Sequence, residues 1–309
     1  MRAAPSVICS NSVIMRKYVL IGKFGRLIFH PFYPPNGRNG PFPGYIKPAI
    51  DWNHYSRMAK QVYFIAGASR GIGLSLATYL SKKPENVVFA TARNPSSSSG
   101  LQELSKVADN VHVVTLDLND EKTFETAKAE VLKITDSIDV FICNAGISTA
   151  HTQILDTPKE QFLSHYVTNA LGPILLIQAF YDLVKRGTQK KVIFVSSMVG
   201  TISEYPTYST SAYGQSKAAL NHSIRQLGRE LAEENFIVVP VHPGLVGTEL
   251  LFGAKDQYLA NNPEFAPIFA PGGHITPDES AEKLAILIEN LKKEDSNKFW
   301  SYDGTEVPW

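Results

Sequence analysis

Residues 61–73 read QVYFIAGASRGIG, and the order of parts within them decides the fold: an apolar, β-branched and aromatic run, then glycines at 67, 71 and 73, then the opening of an apolar periodic segment. A strand that feeds a glycine turn and then a helix leaves backbone N–H groups and a positive helix end where an anion can sit. Glycine suits the turn because the chain must bend tightly and let a pyrophosphate approach its backbone. The spacing is G-x-x-x-G-x-G rather than the commoner G-x-G-x-x-G, so its place after the first strand of a domain carries the weight. The same letters, Gly67-Ala68-Ser69-Arg70-Gly71, also fit the G-x-S-x-G elbow of a serine hydrolase. An elbow needs earlier strands to build its oxyanion hole, and upstream of Gln61 there is only a Pro/Gly-rich run.

Outward from this stretch, short apolar runs alternate with helical patterns. NVVFATAR, VHVVTLD, DVFICNAG, KKVIFVSS and NFIVVPVHPG read as further buried strands. Segments such as IGLSLATYLSK and TFETAKAEVLKIT carry the i, i+3, i+4 apolar spacing of helices. Repeated alternation predicts an α/β fold, a doubly wound parallel sheet of the Rossmann kind, with ligands at the carboxyl ends of the strands. One such domain is expected over residues 58–309.

Residues 1–57 differ in kind. They hold Arg2, Arg16, Lys17, Lys23, Arg26, Arg38, Lys47 and Arg57 against the single acid Asp51, and the run HPFYPPNGRNGPFPGYIKP breaks both periodicities. The charge bias is that of a mitochondrial transit peptide, but the prolines spoil the amphipathic helix that import requires. A disordered N-terminal extension, or a start placed upstream of Met58, is the alternative, and with it a cytoplasmic protein.

Thirty basic residues against twenty-nine acidic ones leave no field to draw in nucleic acid or an anionic membrane. Cys9 and Cys143 have neither disulfide-framework nor metal spacing, and the histidines are scattered, so no metal site is expected. The longest stretch free of formal charge, Gln161–Tyr181, holds His165, Asn169, Gly172 and Pro173, and reads as a buried helix rather than a membrane span.

Charge also speaks to the cofactor. A site for NAD usually places an acid about twenty residues past the glycines, on the ribose 2′-hydroxyl, whereas a 2′-phosphate needs arginine. Here the second strand ends FATAR, with Ala92 where the acid would be and Arg93 after it. With Arg70 inside the turn, two guanidiniums predict NADP(H). Asp117, at the end of the third strand, is read as a contact to the adenine amino group, with a helix cap as the alternative.

The chemistry points further along the chain. SAYGQSKAALNHSIRQLGRELAEEN patterns as a long helix with Tyr213 and Lys217 four apart, hence on one face. A free phenol titrates near 10, and a neighbouring ammonium brings it toward neutrality by favouring the phenolate. Ser197 closes the fifth strand, where its hydroxyl can hold a carbonyl. Asn169 is a polar amide in an apolar helix; buried, it needs partners, and a water chain to Lys217 is expected to supply them.

Taken together, AGASRGIG, CNAG, Asn169, Ser197, YGQSK and HPGLVGT stand in the order and register of short-chain dehydrogenases/reductases, which the chain resembles from about Met58 to Trp309. Its ending, FWSYDGTEVPW, is similar to C-factor-like and sniffer-type members, which are carbonyl reductases. The resemblance implies Tyr213 as acid/base, Lys217 on the nicotinamide ribose, Ser197 on the carbonyl and Asn169 in the proton relay. It implies cofactor contacts from Gly67, Ser69, Arg70, Gly71, Ile72, Gly73, Arg93, Asp117, Asn144, Ala145, Gly146, Asn169, Tyr213, Lys217, Pro243, Gly244, Val246 and Thr248. The partner would be a small carbonyl or alcohol, and a homodimer or homotetramer is compatible with it. Ala66 stands where the family commonly has threonine, and the segment TISEYPTYST lengthens the interval from Ser197 to Tyr213.

The stretch after Thr248 is expected to form a substrate lid, whose Phe252, Tyr258, Phe265 and Phe269 suit an apolar or aromatic compound or, equally, a helix packed on the core. TPDESAEKLAILIENL predicts a helix capped by Thr276, with Pro277 first and Glu279 completing a capping box.

Overall fold

The structure is a computed structural model that describes residues 60–203 and 210–309. The expected extension, residues 1–57, lies outside the described residues, as do positions 204–209 of the segment TISEYPTYST.

Eight strands form one sheet in the order β3-β2-β1-β4-β5-β6-β7-β8: β1 Val62–Ala66, β2 Val87–Ala92, β3 Val111–Thr115, β4 Val140–Cys143, β5 Lys191–Val195, β6 Ile237–His242, β7 Phe299–Ser301 and β8 Glu306–Val307. All neighbours are parallel except β7 and β8. Strand order reverses at β1, which pairs Val62 with Val87 of β2 on one side and Tyr63 with Val140 of β4 on the other. That reversal opens a crevice beyond the carboxyl ends of β1 and β4.

The helices are α1 Gly71–Ser81, α2 Ser99–Val107, α3 Lys122–Leu132, α4 Lys159–Tyr166, α5 Gly172–Arg186, α6 Ser211–Glu230, α7 Glu249–Gly253, α8 Lys255–Asn261 and α9 Pro277–Asn290. They cover both faces, so β1 is buried along its whole length and shows no alternation of apolar and polar residues. Val62, Phe64 and Ala66 face one core, where the Phe64 and Phe141 rings stack at 5.0 Å and Phe180 of α5 leans on Phe64 at 4.6 Å. Tyr63 and Ile65 face the other, under Leu76 and Leu80 of α1 and Leu284 of α9. Each such side chain contributes about 1.5–3 kcal/mol by leaving water. Asp139 anchors the start of β1: its buried carboxylate accepts from the Val62 N–H at 2.9 Å and from the Thr188 N–H at 2.7 Å.

The run Lys159–Arg186 is long and apolar enough to cross a membrane, yet half of its most apolar window is buried against the protein itself. Between α4 and α5 its backbone widens into a π turn, Val167–Leu171, centred on Asn169. Two strands escape the sequence pattern. β7 and β8 have three and two residues and are joined through Asp303-Gly304, with Gly304 at φ +84°; so short a run shows no periodicity. Thr276 caps α9 as expected, accepting from the Glu279 N–H at 3.1 Å, but the Glu279 carboxylate binds Lys283 at 2.9 Å, so the capping box is not closed.

Candidate active site

The glycine turn is built so that side chains would destroy it. Gly67 has φ +83°, and a Cβ there would lie 2.6 Å from Ala145 Cβ. A Cβ on Gly73 would lie 2.0 Å from the Gly67 carbonyl oxygen and 2.6 Å from Asn144 Nδ2. Asn144 Nδ2 donates to that same carbonyl at 2.6 Å, so the strand-end amide braces the turn from behind. Helix α1 starts here with no side-chain cap and no acid in its first turn, which leaves its positive end available to an anion.

Gly67, Ser69, Arg70, Gly71 and Ile72 line a cleft that continues past Arg93, Asp117, Asn144, Ala145 and Gly146 to Tyr213, Lys217, Pro243 and Thr248. Five expected contact residues stand outside this lining. Gly73 and Asn169 brace the wall from behind. Gly244, at φ +86° with no room for a Cβ against Tyr302, and Val246, bridged to Ile275, shape the backbone that presents Thr248. Ser197 caps a short 3-10 turn, its hydroxyl accepting from the Val199 N–H at 3.4 Å.

Charges at the mouth are arranged unequally. Arg70 forms an ion pair with Glu249, the first residue of α7, whereas Arg93 has no ion-pair partner among the described residues. The Asp117 carboxylate accepts from the Asn119 N–H at 3.0 Å; helix α3 takes Glu121 as its N-cap, so the cap alternative for Asp117 is not realised.

Tyr213 and Lys217 both project from α6 into the cleft. Lys217 is only 5% exposed, donates to the Val195 carbonyl at 2.9 Å and sits 6.0 Å from the centre of the Tyr213 ring. Burial pushes its pKa down to about 8, partly offset by the neighbouring Cys143. Asn169 is fully buried and satisfied within the protein: it donates to the Ile147 carbonyl at 2.8 Å and to Ser216 Oγ at 2.9 Å, and accepts from the Ile147 N–H at 2.8 Å. The π turn carries the amide into reach of the chain after Gly146. A Cβ on Gly146 would lie 3.1 Å from Asn169 Oδ1 and 3.7 Å from Lys217 Nζ, so glycine keeps this corner open.

Several neighbours have no sequence signal of their own. Glu249, Thr168 and Asn119 line the cleft, and Thr168 Oγ1 donates to Asn119 Oδ1 at 3.0 Å. The rings of His151 and His165 flank Tyr213 at 5.6 and 6.5 Å. Beyond His151 the four expected aromatics pack on one another: Tyr258 meets Phe265 at 5.9 Å and Phe269 at 6.0 Å, and Phe252 meets Phe269 at 6.4 Å.

Residues 61–258, from the first strand through the helix carrying Tyr213 to α8, match the short chain dehydrogenase family. The chain belongs to that family. An uncharacterized oxidoreductase of Schizosaccharomyces pombe is 43% identical over 249 residues, covering 81% of this chain and 98% of its own. Among solved structures, the carbonyl reductase Sniffer of D. melanogaster superposes with a TM-score of 0.69 at 25% identity, covering 81% of this chain and 99% of its own. An NADPH-bound carbonyl reductase from chicken fatty liver gives 0.69 at 27% identity, covering 81% and 94%. As a short-chain dehydrogenase the chain is an oxidoreductase, and the cleft at the β1/β4 switch point brings together Gly67, Gly71, Asn144, Tyr213 and Lys217.

Proposed function

We propose that this short-chain dehydrogenase is an NADP(H)-dependent carbonyl reductase that converts a ketone or aldehyde to an alcohol, with Tyr213 as the proton donor. One observation carries the reading: a buried lysine whose ammonium is held beside the Tyr213 ring in a cleft that the glycine turn at Gly67 and Gly71 also lines.

The residues present fit the cofactor. The turn has no room for a Cβ at Gly67 or Gly73, and the uncapped α1 faces no competing acid in its first turn. Arg70 and Arg93 would take a 2′-phosphate, and no acid stands at Ala92 to hold a 2′-hydroxyl instead. Lys217 and Tyr213 would hold the nicotinamide ribose. The chemistry the cofactor supplies is a hydride for the carbonyl carbon.

The protein supplies the proton and its control. Lys217 is fixed by the Val195 carbonyl, so its charge stays near the phenol and lowers the cost of the phenolate left after Tyr213 gives up its proton. Ser197, two residues past the end of β5, would donate its hydroxyl proton to the carbonyl oxygen while its oxygen accepts from the Val199 N–H at 3.4 Å. Asn169 holds the chain after Gly146 through Ile147 and keeps that corner of the cleft in place.

Replacement Tyr213→Phe tests the reading. Turnover of NADPH with a panel of ketones, quinones and aldehydes should fall by about 10²–10⁴-fold, the usual span for loss of a general acid, while NADPH binding followed by fluorescence persists. Activity within threefold of the parent removes Tyr213 as the acid.

A further inference from the structure

Strand β2 carries a single hydroxyl among its six buried residues, that of Thr91. Thr91 is fully buried, and a hydroxyl in such a place is costly unless it is hydrogen-bonded. Its partner lies just past the end of the neighbouring strand. The Gly67 N–H donates to Thr91 Oγ1 at 3.1 Å, and the Ala68 N–H donates to the Thr91 carbonyl at 2.7 Å. One residue of β2 therefore takes both amide protons at the start of the glycine turn.

The opposite side is held by β4, through Asn144 Nδ2 and the Gly67 carbonyl at 2.6 Å. Gly67 is thus fixed at its N–H by one flanking strand and at its carbonyl by the other. Strand β1 has nothing to add, because its last residue, Ala66, ends in a methyl group.

Gly67 depends on that clamp. At φ +83° it has the freedom of glycine and no side chain of its own to fix it, and it is only half-buried where it lines the cleft. Without the Thr91 hydroxyl its N–H would regain a partner only by turning toward water. That rotation carries the glycine out of the position a pyrophosphate meets. Thr91 itself is absent from the cleft lining, so its influence on a bound nucleotide passes through Gly67.

We propose that Thr91 is a positioning residue for the cofactor, whose hydroxyl keeps the Gly67 turn closed before NADP(H) arrives. The inference rests on the cleft being the cofactor site and assigns part of its affinity to a residue that does not touch the cofactor. When only a fraction of the free protein has the turn closed, the apparent Kd rises by the inverse of that fraction. The pyrophosphate is common to NADPH and NADH, so both lose affinity equally. Bound cofactor closes the turn by itself, so turnover at saturation is kept.

The test sets Thr91→Val, which replaces the hydroxyl by a methyl group of similar size, against Thr91→Ser, which keeps it. Fluorescence titration gives the Kd for NADPH and for NADH, and steady-state assays with a carbonyl from the panel give kcat. The Val protein should bind both nucleotides roughly 5- to 20-fold more weakly, with their Kd ratio and the kcat at saturating NADPH within about twofold of the parent. The Ser protein should stay within about threefold of the parent on every measure. Parent-like Kd values in the Val protein overturn the inference whatever its urea midpoint, because a hydroxyl needed only for stability leaves binding alone. A loss confined to NADPH belongs to the 2′-phosphate, an equal loss in the Ser protein belongs to packing, and a lower kcat at saturation belongs to the reaction; each overturns it. If the Val protein does not fold, Thr91→Cys decides, since sulfur is a poor acceptor of similar size: both Kd values should rise at least about threefold, and parent-like values overturn the inference. A parent that binds neither nucleotide brings down the cofactor site and the inference with it. A parent that binds both but reduces no carbonyl removes the reductase alone, and the Kd values still decide the role of Thr91.

Discussion

Lys217 shows how far a single side chain can be read from its neighbours. Its spacing from Tyr213 places the two on one face of α6, but only its burial in the folded chain makes the ammonium costly. The unfolded chain binds that proton up to about its ordinary value of 10.5, whereas the folded chain releases it near 8. Between those values the unfolded state binds more protons, so stability rises with pH; below about 8 both states are charged and the full penalty stands. Urea unfolding at pH 7, 8.5 and 10 should show this rise in the parent, about 3 kcal/mol in all, and not in Lys217→Met. A slope shared by both proteins would assign it elsewhere. Glu249 offers a second test at this scale. It neutralises Arg70, which the 2′-phosphate would claim, so Glu249→Gln should tighten NADPH by about two- to fivefold at low salt, an exposed pair being worth at most about 1 kcal/mol. NADH, without that phosphate, should bind unchanged, and the gain should vanish above about 0.5 M salt.

Elements were legible in proportion to their length and burial. β1, β2, β4, β5 and β6 announce themselves because each is buried on both faces, save the last residue of β6, and reads as a nearly continuous apolar run, whereas the edge strand β3 is buried only at Val111 and Val114. The helix from Pro277 is legible from its Thr276 cap, although the glutamate expected to complete the box is taken by Lys283 instead. β7 and β8 are too short for periodicity, and the π turn at Val167–Leu171 has no pattern in its letters. The closing hairpin is held by Trp309, which packs on Phe299 at 6.0 Å and under the Arg225 guanidinium at 5.1 Å, while its carbonyl accepts from the Ser203 hydroxyl at 2.6 Å. Trp309 is half-buried and absent from the cleft lining, so Trp309→Ala should cost about 1–3 kcal/mol in urea with the NADPH Kd unchanged. A weakened Kd would mean that the hairpin reaches the cleft.

At the scale of the whole molecule, acid should be the condition that opens the fold. Burial pushes the pKa values of His151 and His242 to about 4. Unfolded histidines take up a proton near 6.5, so between 6.5 and 4 the unfolded state binds more protons and stability falls as pH falls. The unfolding midpoint should drop on going from pH 7 to 4.5, and the double variant His151→Asn, His242→Asn should lose most of that drop. A parent and variant that decline in parallel would place the acid lability on carboxylates.

The letters alone determined the alternation of strand and helix, the glycine turn, the arginines that speak for a phosphate, and the pairing of Tyr213 with Lys217, because each depends on residues close in the chain or on a repeated period. The tertiary structure decided what those residues touch. Asn169 found Ile147 and Ser216, Arg70 found Glu249, Ser148 turned to His151, and a histidine no pattern had marked came to rest on Tyr213. Hydrogen-bond partners and buried charges are set by segments that the fold brings together from far apart, and no local period records that meeting.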